Sequence, residues 1–253
     1  ESFVMQLEET DKERKMVQMG ALLCVFPDGV VYNTNTKTIE RVRNKRESAG
    51  TVTMRMCKLD GTEFTDKNTH IGTTEPQDKK AFPYWLDTSG STVILKMWSP
   101  TYAMWTSVAT TYVKISATGI GTGFKDYDAV TFSGITIKGY NDYDFNKSLI
   151  VYKAAEDYMI VAGMIDLYHT QTDTAERKLP DMDYVCELDN RVWGCSSDNH
   201  EIYACKLGDP TNWNCYAGLN SDSYAATVGS QDDFTGCCSY GGYVYFFKED
   251  GYH

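Results

Sequence analysis

Histidine is scarce in this chain, and no two of its cysteines form a Cys-x-x-Cys pair. The four histidines, His70, His169, His200 and His253, are scattered. Structural zinc sites draw their ligands from closely spaced pairs, so no metal is expected, and no other cofactor. Among the eight cysteines, Cys186, Cys195, Cys205 and Cys215 recur nine to ten residues apart, about one per predicted strand. That spacing suits small, buried, reduced side chains in a protein made in a cytoplasm. A run of about 18 apolar residues, enough for a membrane-spanning helix, is missing. So is Gly-x-Ser-x-Gly, the strained turn that presents a hydrolase nucleophile. Positive charge is in deficit, with 24 Lys and Arg against 35 Asp and Glu and a net charge of −11. Such a chain does not release counterions from a phosphate backbone, which argues against nucleic-acid binding. Its one basic cluster, RVRNKR at 41–46, is short and reads as a solvated loop.

Helical periodicity is also in short supply. Residues 3–19 fit one amphipathic helix, and equally a strand, a charged turn and a second strand. The rest reads as short β runs broken by turn pairs such as Asp28-Gly29, Asp60-Gly61, Asp189-Asn190, Gly241-Gly242 and Asp250-Gly251. These residues tolerate the positive φ that tight hairpins demand. With 42% hydrophobic and 13% aromatic residues, the chain is expected to fold and to favour β-structure. Strands at this spacing predict an all-β sandwich, barrel or propeller.

Internal comparison favours the propeller. Residues 189–203 align with 241–253 at a fixed offset, placing Asn190 on Gly242, Val192 on Val244, Trp193 on Tyr245 and Asp198 on Asp250. Within residues 19–32, Gly20, Leu22 and Asp28-Gly29 take the same places. A meander recurring about every 50 residues is the sequence form of a propeller blade. The first two copies lie too far apart for whole blades, which predicts an insertion. Runs 119–135 and 148–165 share an acidic turn, an alternating apolar strand (Thr131, Phe132, Val151, Val161) and a small residue with Gly. The expected organisation is propeller-type blades over residues 1–117, a small inserted β module over 118–178, and blades again over 179–253. Residues 170–183 form the module's polar exit linker in this reading, with Pro180 halting the preceding strand. The chain starts at Glu1 without an initiator Met and stops in KEDGYH, which reads as the start of another strand, so a piece of a larger protein is expected.

Motifs that carry chemistry are weak. GIGTGF at 119–124 lacks the Lys-Ser/Thr and the helix of a phosphate loop and reads as a β-turn. DYDFNK at 142–147 alternates Asp142, Asp144 and Asn146 as a calcium loop does. Lys147 then stands where such a loop needs Gly, and Lys153 where it needs Glu. Acidic pairs Asp126/Asp128, Asp181/Asp183, Asp232/Asp233 and Glu249/Asp250 are the candidates for a glycosidase's two carboxylates, whose separation no sequence defines. Cys237-Cys238 reads as strand packing rather than as a nucleophile. Trp85, Trp98, Trp105, Trp193 and Trp213 fit core anchors or carbohydrate-stacking platforms. The tyrosines of SYGGYVYFF, 239–247, fit an interface with a neighbouring subunit.

PDMDYVCELDNRVWGC (180–195), EIYACKLGDPTNW (201–213), DSYAATVGSQDDFTG (222–236) and YFFKEDGYH (245–253) resemble segments of structural proteins of tailed bacteriophages and prophages. The stretch from NRVWG to DPTNW is similar to the β-propeller nozzle (tail hub) proteins at the end of short phage tails, and QMGALLCVFPDGVVYNT (18–34) fits the same family. The resemblance covers residues 16–36 and 180–253 and is looser between. Its markers are Asn190, Arg191, Trp193, Gly194, Gly208, Asp209, Pro210, Asn212 and Trp213, which are architectural and name no catalytic group. The resemblance implies a non-enzymatic, homo-oligomeric component of the virion tail, synthesised in the bacterial host cytoplasm. Its partners would be other tail or portal-adaptor proteins, with DNA passing through the assembly without specific binding. A receptor- or glycan-binding tail module is the alternative, and behind it a glycan-cleaving tail enzyme. In the Gly208–Trp213 corner, Asp209 is expected to cap the turn, Pro210 to preset φ, and Trp213 to fold back as an anchor.

Overall fold

Turn chemistry sets the strands. The computed structural model describes residues 7, 10, 12–48, 51–171 and 174–253, and among these there is no α-helix, only a 3-10 turn at Tyr140–Asp142. Of the stretch 3–19, Lys15–Met19 is a strand, while most of 3–11 lies outside the described residues. The chain is all-β and divides into two compact units.

The first unit opens with β1 (Lys15–Met19), β2 (Leu22–Phe26), β3 (Val30–Asn33) and β4 (Thr38–Arg41), an antiparallel meander in sequence order. Register puts Val17, Cys24 and Val31 abreast on one face and Met16, Val25 and Val30 on the other. The β2–β3 turn is fixed by buried Asp28, whose carboxylate accepts from Arg14 Nε at 3.0 Å and Nη2 at 3.3 Å.

The second unit, Lys45–Glu176, interrupts the first. It carries β5 (Asn44–Glu47), β6 (Val52–Cys57), β7 (Thr69–Gly72), β8 (Tyr84–Asp87), β9 (Ile94–Ser99) and β10 (Met104–Ser107). They are followed by β11 (Tyr112–Ser116), β12 (Ala129–Ser133), β13 (Ser148–Ala155), β14 (Tyr158–Ala162), β15 (Tyr168–Gln171) and β16 (Thr174–Arg177). Eight strands form one sheet in the order β15-β6-β11-β14-β13-β12-β16-β5; four form another, β10-β9-β8-β7, with β7 and β8 parallel. A bulge between Val151 and Lys153 lets β13 pair with β12 at its start and with β14 at its end. One continuous core fills the unit, with Met54, Ile115, Phe132, Val151 and Val161 from the large sheet meeting Leu86 and Leu95 from the small one.

The expected split at 117/118 does not follow these sheets. Strands β6 and β11, both before residue 118, are hydrogen-bonded beside β14 and β15, so the insert starts near residue 45. The polar run 170–183 contains strand β16 and the end of β15, which shortens the linker to the residues after Arg177.

Back in the first unit, β17 (Tyr184–Leu188), β18 (Arg191–Ser196), β19 (Glu201–Ala204) and β20 (Tyr224–Thr227) form a second meander. A third follows in β21 (Phe234–Tyr240), β22 (Tyr243–Lys248) and β23 (Gly251–Tyr252). The first hairpin of each closes on left-handed pairs, Asp189 and Asn190 at φ 52° and 60°, Gly241 and Gly242 at φ 60° and 83°. That backbone matches the right-handed twist of the flanking strands. The meanders are layered through their first strands, β1 against β17 and β17 against β21. Between the first two layers lie Met19, Cys24, Phe26, Val192, Tyr203 and Trp213. Between the second and third lie Trp193, Cys195, Ile202, Phe234, Val244 and Phe246. Alternation explains the division, because Val192 leans to the preceding layer and its neighbour Trp193 to the following one.

Candidate functional site

The nine marker residues gather around one corner, with two exceptions. After β19 the chain turns through Lys206–Asp209, where Asp209 Oδ1 accepts from Thr211 N at 3.1 Å and Thr211 Oγ1 at 2.6 Å. Pro210 follows, and its carbonyl accepts from Trp213 Nε1 at 2.8 Å, so the indole is buried without losing its hydrogen bond. The Trp213 ring stands edge-on to Phe26, at 5.9 Å and 87°. Asn212 is buried beside it, and its carbonyl accepts from Lys206 N at 2.8 Å and Ser223 Oγ at 3.1 Å. Gly208 N donates to Asn190 O at 2.9 Å, tying the corner to the β17–β18 turn. Arg191 completes the clamp through three carbonyls, Cys205 at 2.7 Å, Asp222 at 2.5 Å and Asn220 at 2.7 Å. The exceptions are Trp193, which faces the third meander beside Tyr224, and Gly194, where any side chain would collide with Met182. Trp193 Nε1 is buried with no hydrogen-bond partner. Burial pushes the Cys24 and Cys205 thiols up to about 12, so both are inert packing groups at neutral pH. The hydrogen bonds of Asp209, Trp213, Gly208 and Arg191 are all made to the chain itself.

A cleft of about 440 Å³ opens in the same unit, where the starts of the three first strands converge. Its walls include Lys12, Lys15, Asp183, Asp198, Asp233 and Phe234. Asp183 Oδ2 accepts from Ser197 N at 2.7 Å, and Ser197 Oγ from Phe234 N at 3.0 Å. Lys12 pairs with Asp181, and Lys15 with Glu13 at 2.6 Å, its ammonium lying 5.2 Å from the Tyr184 ring centre. Of the acidic pairs expected from sequence, the fold brings Asp183 and Asp233 to this cleft, with Asp198 added. Asp181 pairs with Lys12 instead, and Asp126 and Asp128 accept from backbone amides, Asp126 Oδ1 from Ala154 N at 2.7 Å and Asp128 Oδ2 from Lys125 N at 3.0 Å.

The remaining motifs resolve into local structure. Asn146 grips Ile135 through the N–H and carbonyl of Ile135 at 2.9 and 2.7 Å, and Asp144 accepts from Asn146 N at 2.8 Å, so two of the three alternating side chains of DYDFNK bind backbone. In GIGTGF, a side chain at Gly121 would collide with the Ala155 carbonyl, so the backbone itself is in contact with the β13–β14 hairpin. In the basic cluster, Arg43 donates to Pro27 O at 2.5 Å and Arg46 to Thr122 O at 3.0 Å. At Cys237 a hydrogen bond with Cys186 lowers the pKa, but the bond with Cys195 and burial outweigh it and the thiol rises to about 12. All eight cysteines are free. Among the described residues no group of three or more His, Cys, Asp or Glu is placed to hold a metal ion, and no helix is long and apolar enough to cross a membrane.

Three of the five tryptophans share the outer face of the β7–β10 sheet. Trp98 and Trp105 are cross-strand partners, and Trp85 opposes Lys96. Trp105 meets both other rings edge-on, at 5.6 and 5.4 Å. The Lys96 ammonium lies 4.6 Å from Trp85 and the Lys79 ammonium 4.6 Å from Trp98. Trp85 Nε1 donates to Gly72 O at 2.9 Å, and Trp105 Nε1 to Glu75 at 2.6 Å. Burial raises the Asp87 carboxyl, but Lys96 at 2.6 Å and hydrogen bonds from Ser89 outweigh it and hold the group down at about 2. Sugar stacking requires open ring faces, and the lysines already lie over two of them. Sequence identified the tryptophans but not Lys79, Lys96 and Glu75, which are distant in the chain and carry no local pattern.

The third meander leaves a face without a partner inside the described chain. Tyr243, Tyr245 and Phe247 of β22 point away from the second meander, with Tyr245 stacked on Phe247 at 6.4 Å and tilted on Tyr252 at 5.7 Å. Comparison of the chain with protein families, with curated proteins and with solved structures returns no match.

Proposed function

We propose that the chain is a non-enzymatic structural subunit of a tailed-phage virion, of the tail, nozzle or adaptor type, whose three meanders are consecutive blades of a propeller-type arc. The observation that carries this reading is the layering of the three meanders through their first strands. Successive blades of a propeller meet in that way. The marker residues support it further, because their hydrogen bonds go into holding a layer corner rather than into an open site. An acidic subunit suits a passage for DNA, since a negative wall lets the polymer slide without sticking. In this reading the chain assembles with copies of itself and with other tail or portal-adaptor proteins, and resides in the virion tail. A mass-spectrometric inventory of gradient-purified virions, with antibody labelling of the chain in particle images, tests it. The expected result is a stoichiometric band located at the tail. Absence from purified particles overturns the reading.

A further inference from the structure

The alternation that divides the meander cores also sorts the cysteines. On β17, Val185 leans to the first meander, so Tyr184 and its second neighbour Cys186 lean to the third. On β18, Trp193 and Cys195 face the same way, and on β21 Cys237 faces back beside Phe234 and Phe246. Thiols from three strands thereby meet in one thin layer, where Cys237 is hydrogen-bonded to both Cys186 and Cys195. The trio is graded in access: Cys195 is fully buried, while Cys186 and Cys237 are partly exposed. The other layer holds a pair for comparison. Cys24 lies close enough to Cys205 to feel its charge, and both are fully buried.

We propose that Cys186 and Cys237 form a disulfide that fastens the second meander to the third when the chain meets a peroxide. Hydrogen-bonded sulfurs already face each other, so the bond asks for a small approach rather than a strand movement. The Cys237 thiolate attacks one peroxide oxygen, the O–O bond breaks, and the departing hydroxide takes up the proton that the thiol lost. The Cys186 sulfur then attacks the sulfenic acid on Cys237, forming the S–S bond and releasing the second water. Two thiols and one hydrogen peroxide thus give one disulfide and two waters, with two electrons passing from sulfur to oxygen. Both groups are thiols at neutral pH: the hydrogen bond to Cys237, then burial, raise Cys186, and Cys237 stands at about 12. Only the thiolate attacks, so oxidation takes on the order of hours, and the pair stays reduced in a reducing compartment. The bond is a lasting fastening, not a rapid sensor. It closes a loop of about 50 residues across the layer that has fewer fully buried side chains than the one around Trp213. It concerns the single chain and goes beyond the virion reading, on which it does not depend.

Peroxide treatment of the folded 253-residue chain, followed by alkylation, proteolysis and tandem mass spectrometry, tests the proposal. A Cys238→Ser background removes the exposed thiol next to Cys237, which would otherwise cross-link copies. Over hours the chain is expected to lose about 2 Da, the two hydrogens of one disulfide, and to yield a Cys186–Cys237 peptide pair that dithiothreitol separates. Cys24 and Cys205 stay free and take up the alkylating reagent only in denaturant. The urea midpoint of the oxidised chain rises by on the order of 1 M, and Cys186→Ser abolishes the rise. Recovery of Cys186 and Cys237 as free thiols or as sulfinic acids overturns the proposal. So does a bond from Cys237 to Cys195, or an oxidised chain whose midpoint has not moved. The mapping keeps both native cysteines in place, so misfolding of the Cys186→Ser variant cannot hide the answer.

Discussion

The two units solve the same problem of burying strands in opposite ways. The insert gathers residues from both of its sheets into one continuous core. The meander unit has no common centre; its apolar side chains are divided between two thin layers, one around Trp213 and one around Phe246. A thin layer depends on a few large side chains, whereas a continuous core spreads the same burden over many. Loss of one anchor should therefore be felt locally and sharply in the meanders, and globally in the insert.

Hydrogen exchange read segment by segment can break that comparison. The largest effect is expected from Trp213→Ala, which removes the biggest fully buried side chain and should cost about 3–5 kcal/mol. Protection should drop in β1–β3 and β18–β19 while β6 and β11 keep theirs; uniform loss across both units would end the distinction. Met54→Ala in the insert should cost about 3 kcal/mol and lower protection over both insert sheets together. Arg191→Met follows, at about 2 kcal/mol, because three carbonyls lose a charged donor. Denaturant melts should show a shifted midpoint in the meander transition alone. Asp209→Ala should cost about 1 kcal/mol, the ordinary contribution of a turn-capping carboxylate.

The smallest effect is one of pH. Asp87 is held at about 2, below the roughly 3.9 of an unfolded aspartate. A depressed acid contributes stability that is fully present above the unfolded value and disappears as pH falls through the folded one. Asp87→Asn should therefore flatten the acid limb of the insert's stability between about pH 4 and 2. An acid limb unchanged by the substitution would show that the pairing with Lys96 does not contribute.

Legibility in the sequence followed the range of the interaction. Asp189-Asn190 and Gly241-Gly242 were readable because left-handed backbone selects its residues locally. The insert's true start was not, because Met54 and Val113 alternate as any meander strand does and only pairing across β6, β11 and β14 marks their unit. The first repeat copy was readable but one residue out of step. Matching Asp28 to Asp198 puts Leu22 on Val192, yet β2 has five residues and β18 six, and the true counterpart is Leu23. Such a slip exchanges the two faces of a strand, which is the distinction on which the layering depends. At the candidate corner, Asp209 and Trp213 could be placed from local turn chemistry, whereas Arg191's reach to Asn220 and Asp222 could not.

Strand order at the junction has a practical side. The chain departs on β5 and returns on β16, and these are neighbours in the eight-stranded sheet. Adjacent strands lie about 4.8 Å apart, a gap that a short turn spans. The excursion from Lys45 to Glu176 is thus a cassette with its two leads side by side. Removing it and stitching the ends with a tight turn asks for no new route through the meanders, and neither does exchanging it for another module with equally close ends. Diversification of this chain can proceed at one socket while the layered unit stays as it is.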